Sequence, residues 1–257
     1  MDILRKELEQ IYLMQELENE YLDKQEVEIC KRMAENMTKV TNACYVITDA
    51  SCDHCYIFGG ELAYLLGIGD SQYTYKDICS SDEDVIYTRL HPEDLVEKRM
   101  LEYEYFKFVH QLPVDEKLRY KATCRIRIKD KYGQYRMINN STQVIKPSPE
   151  GKIWLILCSY DLSSEQTVAN DINPRIKNNH SGEIINLSFS DKKLHVLTER
   201  EKEILLLIKE GNSSKRIADI LGISIHTVSR HRQNILERLS VGNSVEAIMA
   251  ATVMGLL

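Results

Sequence analysis

The chain has no long apolar run. Its longest uninterrupted stretches, residues 204–208 and 153–158, fall far short of the roughly 20 residues a bilayer-spanning helix needs. Its first residues, MDILRKELEQ, are charged and helix-forming, without the apolar core and small-residue cleavage site of a secretory leader. The seven cysteines are odd in number and lack framework spacing, which suits a reducing cytoplasm. Several enzyme signatures are missing as well. There is no Gly-rich phosphate loop followed by Lys and Ser/Thr, no Gly-x-Ser-x-Gly and no His-Glu-x-x-His. Gly59-Gly60 alone carries no nucleotide site, and no internal repeat or low-complexity tract is present. These absences predict a cytoplasmic protein that is not an enzyme and does not enter a membrane.

What is present fits two folded cores. The chain has 257 residues, of which 43% are apolar and 28% charged, an ordinary globular composition. Its charge is uneven. Residues 191–257 hold ten lysines and arginines against eight acids, +2 of a total of −6, so residues 1–190 carry −8. An acidic body carrying a small basic end is not itself a surface for nucleic acid. Residues 163–190 are rich in Ser and Asn, contain Pro174 and lack periodicity, and so read as a linker. The division expected is an N-terminal helix at 1–40, a sheet domain at 41–162, the linker at 163–190 and a helical domain at 191–257.

The helical end is the most informative stretch. Thr198 with Glu201 forms a capping box, opening a helix whose inward stripe is Ile204, Leu205 and Ile208. Gly211 closes it, and Ser213 caps a second helix that buries Ile217, Ala218 and Leu221. Gly222 turns the chain and Ser224 caps a third helix at 225–238, fastened by Val228, Ile235 and Leu239. Ile225, His226, Ser229, Arg230 and Gln233 are then left to face outward. Asn243 with Glu246 starts a fourth helix whose apolar residues include Val245, Ile248, Met249, Thr252 and Val253.

Residues 197–257 resemble the LuxR-type helix-turn-helix domain of bacterial transcription factors. The matching positions are Leu197-Thr198-x-Arg200-Glu201, Gly211-x-Ser213, Ile217-Ala218, Leu221, Ile223-Ser224, Thr227-Val228, His231, Asn234-Ile235, Leu239 and Ala247. The resemblance covers about a quarter of the chain and implies an all-α, four-helix domain with 225–238 as its recognition helix. It also implies a homodimer on double-stranded, palindromic DNA, with RNA polymerase as a further candidate partner. By position, Ser229, Arg230 and Gln233 would lie over base edges. Lys215, Arg216, Thr227, His231 and Arg232 would lie nearer phosphates. Arg suits guanine O6 and N7, and Gln suits adenine N6 and N7. Two positions depart from the family, which usually has Lys at 229 and Arg at 244 where this chain has Ser229 and Ser244. The first leaves the target sequence open; the second bears on one phosphate contact or on packing before the fourth helix.

Residues 3–37 read as one helical stretch, with Ile3, Leu4, Leu8, Ile11, Leu17, Tyr21 and Leu22 near helical spacing. It packs on its own domain or pairs with a second copy. Beyond it the order of elements is two short strands at 44–48 and 55–58, then a short helix at 61–66. Residues 68–90 are irregular and acidic. His91-Pro92-Glu93-Asp94 opens a longer helix to about His110, and three strands follow at 118–128, 135–145 and 152–160. This order makes a five-stranded antiparallel sheet with helices on one face, and an α+β chain overall. It resembles a PAS sensor domain, carried by the His-Pro-Glu-Asp helix start, the strand pair around Asp130-x-x-Gly133 and the last strand at 153–161. The resemblance implies a sensing module, often dimeric, that takes a small-molecule ligand or a partner and passes its signal along the chain.

No cofactor is identified. The Asn-Cys-Arg-type motif of a flavin photosensor is missing, and of two histidines bracketing the long helix, His91 reads as a turn or cap residue beside His110. A haem, redox or gas sensor with chemistry in this domain is the alternative from another class. An alternative sigma factor is a third, weakened by an acidic, sheet-rich body where a basic, aromatic helical region would be needed. A phosphoacceptor receiver would need alternating parallel strands and helices. Cys52-Asp53-His54-Cys55 lacks the second ligand pair of a structural zinc site, since Cys44 and Cys79 are scattered, so it reads as a hairpin turn. A Cys52→Ser/Cys55→Ser variant is therefore expected to keep both its metal content and its DNA binding; stoichiometric zinc present in the parent and lost in the variant would contradict this.

Overall fold

The computed structural model describes residues 8, 10–12, 14–81, 83–167, 171–189, 197–239, 241–253 and 257, with the side chains of 249, 250, 252 and 253 excepted. Ile3, Leu4, the start of the supposed helical domain at 191–196, and the side chains of Met249, Thr252 and Val253 lie outside that description. The chain divides into two compact units, one at 8–187 and the other within 188–257.

The N-terminal stretch is not one helix. Helical residues at 8 and 10–12 give way to a turn and a short 3-10 segment, Leu17–Asn19, and helix α1 runs only from Lys24–Thr41. Gln15 explains the break. Its side-chain carbonyl accepts from the Ile153 amide at 3.0 Å while its amide nitrogen donates to the Ile11 carbonyl at 2.9 Å. Glu16 adopts φ +46° just after. Asp23 then caps α1 by accepting from the Gln25 amide, as Asp does at a fresh helix start.

Among the described residues the sheet has eight strands rather than five. After β1 (Cys44–Asp49) and β2 (His54–Gly59) come α2 (Glu61–Leu65), β3 (Thr74–Ile78), α3 (Asp84–Tyr87), α4 (Pro92–His110) and α5 (Val114–Lys117). β4 (Tyr120–Lys129), β5 (Tyr135–Pro147), β6 (Ile153–Leu162), β7 (Arg175–Asn178) and β8 (Ile184–Asn186) complete it. The order is β3-β2-β1-β6-β5-β4-β7-β8, and the pairings are antiparallel. The segment read as irregular supplies β3. The segment read as a linker supplies β7, which pairs with β4, and β8 beside it. Its polar residues face outward in part, while Ile172 and Ile176 are buried.

Helices cover both faces of the sheet, not one. All six residues of β1 are buried, so its alternate side chains point into two different cores. Tyr45 and Ile47 join Val27, Cys30 and Ala34 of α1 in one apolar cluster with Phe58, Trp154 and Leu155. On the other face Cys44 pairs in register with Tyr160 and Val46 with Cys158, and that side meets α4.

Helix α4 buries charge. Five of its nine buried residues are Asp94, Glu97, Lys98, Arg99 and Glu102. The Lys98 ammonium, wholly enclosed, donates to the Tyr87 hydroxyl at 2.8 Å and ion-pairs with Glu102. The Tyr160 hydroxyl donates to Glu83. Burial opposes the charge on Lys98, but Glu102 and Glu83 more than offset it and its pKa is raised. Burial likewise raises Glu83, with Lys98 pulling the other way. Removing one partner leaves an uncompensated interior charge. Lys98→Ala is expected to cost about 3–5 kcal/mol in urea unfolding; a loss below about 1 kcal/mol would show that the two carboxyls are neutral and need no cation.

Candidate nucleic-acid interface

The C-terminal unit is built from its caps inward. Thr198 precedes α6 (Glu199–Lys209). Its hydroxyl accepts from the Glu201 amide at 3.2 Å, and its own amide donates to the Glu201 carboxylate at 2.8 Å. Gly211, at φ +85°, ends that helix. Ser213 caps α7 (Ser214–Leu221) by accepting from the Arg216 amide at 3.3 Å. Gly222, at φ +63°, terminates α7 in the left-handed conformation that glycine adopts freely. Ser224 then accepts from the Thr227 amide at 3.0 Å and starts α8 (Ile225–Leu239). Asn243 accepts from the Val245 and Glu246 amides at 3.1 and 3.0 Å and starts α9 (Ser244–Val253).

One core joins the four helices. Leu197, Ile204, Leu205, Ile217, Ala218, Val228, Ile235, Leu239, Ala247 and Ala251 are all buried in it. Three of these belong to α8 and fix its inner face. Ile225, His226, Ser229, Arg230 and Gln233 lie exposed on the remaining surface, and 226, 229, 230 and 233 follow the i, i+3, i+4, i+7 spacing of one helical stripe. With 15 residues the helix is about 22 Å long, against a major groove about 12 Å wide.

The structure sorts the expected phosphate residues into two groups. Lys215 and Arg216 are exposed in the first turn of α7. Among the described residues, the side chains of Lys215, Arg216 and Arg230 have no hydrogen-bond or ion-pair partner. Thr227, His231 and Arg232 are half-buried. The Thr227 hydroxyl is bonded to Ser224 at 2.8 Å. Among the described residues, His231 Nδ1 is enclosed without a hydrogen-bond partner. Arg232 donates from Nη1 to Ser214 Oγ at 3.1 Å and from Nη2 to Ser244 Oγ at 2.9 Å. The departure at 244 thus falls where α8 meets α9. Two more ties escape a reading of the sequence. Arg200 Nη2 donates to the Leu221 carbonyl at 2.9 Å, and the Asn212 side chain donates to the Leu207 carbonyl at 3.0 Å.

The N-terminal candidates are spread out. Cys52 is exposed while Cys55 is buried, and the His54 ring nitrogen lies 2.8 Å from the Cys52 carbonyl within the turn. Although Cys52 is exposed, partial desolvation of its thiol and the neighbouring Asp49 push that thiol up to about 11, which keeps it protonated at neutral pH. His91 sits edge-on to Tyr135, and His110 is exposed at the end of α4. His91, Glu93 and Asp94 bring ligand-type atoms within 4.8 Å of one another. Arg127 already pairs with both of those carboxylates. Asp130 accepts from the Tyr132 and Gln134 amides, each at 2.9 Å, and from Arg136, and so organises the turn before β5. None of the described helices is long and apolar enough to cross a membrane.

The family of bacterial regulatory proteins described as luxR matches residues 195–251. The C-terminal unit is therefore a LuxR-type helix-turn-helix domain. The uncharacterized response regulatory protein YgeK of Escherichia coli (strain K12) is 48% identical over 59 residues, 23% of this chain and 40% of its own length. The transcriptional activator protein AnoR of Acinetobacter nosocomialis is 41% identical over 71 residues, 28% of this chain and 29% of its own. The chain thus spans less than half the length of these relatives. A solved structure of the Vibrio cholerae VqmA dimer aligns with 91% of this chain and 89% of its own at 15% identity, with a TM-score of 0.31.

The capping box sets the stability of the first helix. Thr198→Ala is expected to cost about 1 kcal/mol, read as faster amide exchange across 199–209; protection unchanged from the parent would show that the core alone holds α6.

Proposed function

We propose that this chain is a sequence-specific DNA-binding transcription regulator whose helix α8 enters the major groove. The observation that carries the reading is the division of α8 into a face locked by Val228, Ile235 and Leu239 and an exposed stripe bearing Ser229, Arg230 and Gln233. Arg230 and Gln233 offer the bidentate groups that read guanine and adenine. Lys215 and Arg216, exposed on the preceding helix, supply sequence-independent attraction to phosphates, which weakens as salt rises. The luxR match and a relative named as a transcriptional activator support the same reading.

Control lies in the N-terminal unit. Its reading as a PAS-like sensor is supported by the antiparallel sheet, in which β2, β1, β6, β5 and β4 lie contiguous and α4 packs against β4. A small molecule or a protein partner bound there shifts the population of arrangements that present two readers of a homodimer to matching half-sites. Palindromic DNA follows from that two-fold symmetry, RNA polymerase is the partner downstream, and the cytoplasm is the compartment.

The test begins with selection of bound duplexes from a randomised pool by the full chain. Enrichment of one two-fold motif is the expected result; no enrichment over input would overturn the reading. On the selected duplex Arg230→Ala is expected to lose about 1–3 kcal/mol and relax preference at one base position. An equal loss on selected and random DNA would place Arg230 on phosphate instead.

A further inference from the structure

We infer that Arg232 is a positioning residue of the reader, one that sets α8 against the helices on either side of it, and not a phosphate ligand. The inference rests on the reading that α8 enters DNA. Arg232 lies at the middle of α8, and its two terminal nitrogens go to different helices. Nη1 reaches Ser214 Oγ at 3.1 Å and Nη2 reaches Ser244 Oγ at 2.9 Å. Ser214 is the first residue of α7, and Ser244 is the first residue of α9. In both helices the residue before, Ser213 or Asn243, already provides the cap. The hydroxyl that follows each cap is therefore spare, and both spare hydroxyls are used by the same guanidinium. The paired polar residues at the two helix starts, Ser213-Ser214 and Asn243-Ser244, acquire a purpose from this arrangement.

The chemistry favours a tie. A guanidinium is a planar, rigid fork, so two bonds from its two arms fix a direction as well as a distance. The apolar contacts of Val228, Ile235 and Leu239 turn the inner face of α8 to the core but are non-directional, and the guanidinium fork adds a directional constraint on its roll. Ser229, Arg230 and Gln233 need that roll defined, because bidentate bonds to base edges tolerate little angular error. Arg232 also lies at the amino-terminal ends of two helices, where a cation gains nothing from the helix dipoles. The bonds it donates account for its placement there. With one hydrogen on each arm committed, it acts on DNA through Ser229, Arg230 and Gln233.

Three variants of the full chain test this on the selected duplex and on random DNA: Ser214→Ala/Ser244→Ala, which removes both acceptors and keeps the charge, Arg232→Lys, which keeps the charge and loses the fork, and Arg232→Gln. A tie predicts that the double serine variant and Arg232→Lys both lose about tenfold in affinity for the selected duplex. Affinity for random DNA, and the slope of log Kd against log salt, stay at the parent's values. Arg232→Gln weakening both duplexes alike and lowering that slope by about one, with the double serine variant unchanged, would overturn the inference and make Arg232 a phosphate ligand. Failure of the parent to select any sequence would defeat the DNA reading itself. The tie is then read from amide exchange across 225–239, which rises in the double serine variant if the tie exists and stays at the parent's rate if it does not.

Discussion

The N-terminal unit depends on one constraint: the ammonium of Lys98 is wholly enclosed and must be met by opposite charge. Glu102 meets it along the same helix, Tyr87 from α3, and Glu83 lies close enough to raise its pKa. Glu83 in turn receives the Tyr160 hydroxyl from β6. Satisfying one charge thus fixes α3, α4 and β6 together. Other acids of α4 extend the arrangement toward the far side of the sheet. Asp94 holds the Arg127 amide of β4 at 2.6 Å, and Glu97 holds the Ile172 amide at 2.9 Å. Ile172 returns its carbonyl to the Arg125 amide at 2.7 Å. The chain is thereby delivered to the edge of β4, where β7 adds to the sheet.

The two units use charged helices in opposite ways. α4 turns five charges inward, and partners from β4, the segment before β7 and the neighbouring helix α3 meet them. α8 turns most of its polar side chains outward and lets three apolar residues hold it. Arg232 stands between the two habits. It is half-buried like the charges of α4, yet its partners are hydroxyls and not carboxylates, so its charge stays whole. A rigid inner face with an uncommitted outer stripe is what a surface needs to be matched by a ligand with fixed geometry.

How much of this was legible in the sequence follows from the range of each interaction. The caps at Thr198, Ser213, Ser224 and Asn243, and the turn at Gly222, involve residues within a few positions of one another, and the helices of the C-terminal unit could be placed from them. The exposed stripe follows from helical spacing alone. The link from Arg232 to Ser214 and Ser244 spans 18 and 12 positions, and only the unusual Ser244 hinted at it. In the N-terminal unit, β1, β2, α2, α4 and β4–β6 carried apolar or turn signals. β3 did not, because an edge strand with the sequence TYKDI, half-buried at alternate residues and exposed between them, has no apolar alternation. β7 and β8 are short and lie in a Ser- and Asn-rich stretch, and only the pairing of β7 with β4, and of β8 with β7, makes them strands. The long N-terminal helix failed because Gln15 bonds to Ile153, 138 positions away. No local pattern records such a partner.

The sheet is open, and its two outermost strands are β3 and β8. An open edge presents unpaired amides and carbonyls to any passing strand, and eight strands in one plane would make an effective template for fibre growth. Both edges here are poor templates. β8 has three residues and β3 has five, with Lys76 and Asp77 within β3. Neither is long enough to hold a foreign strand in register, and the charges oppose the dry stacking that fibrils require. A strand arriving at either edge would therefore find few backbone groups to pair with and charged side chains beside them.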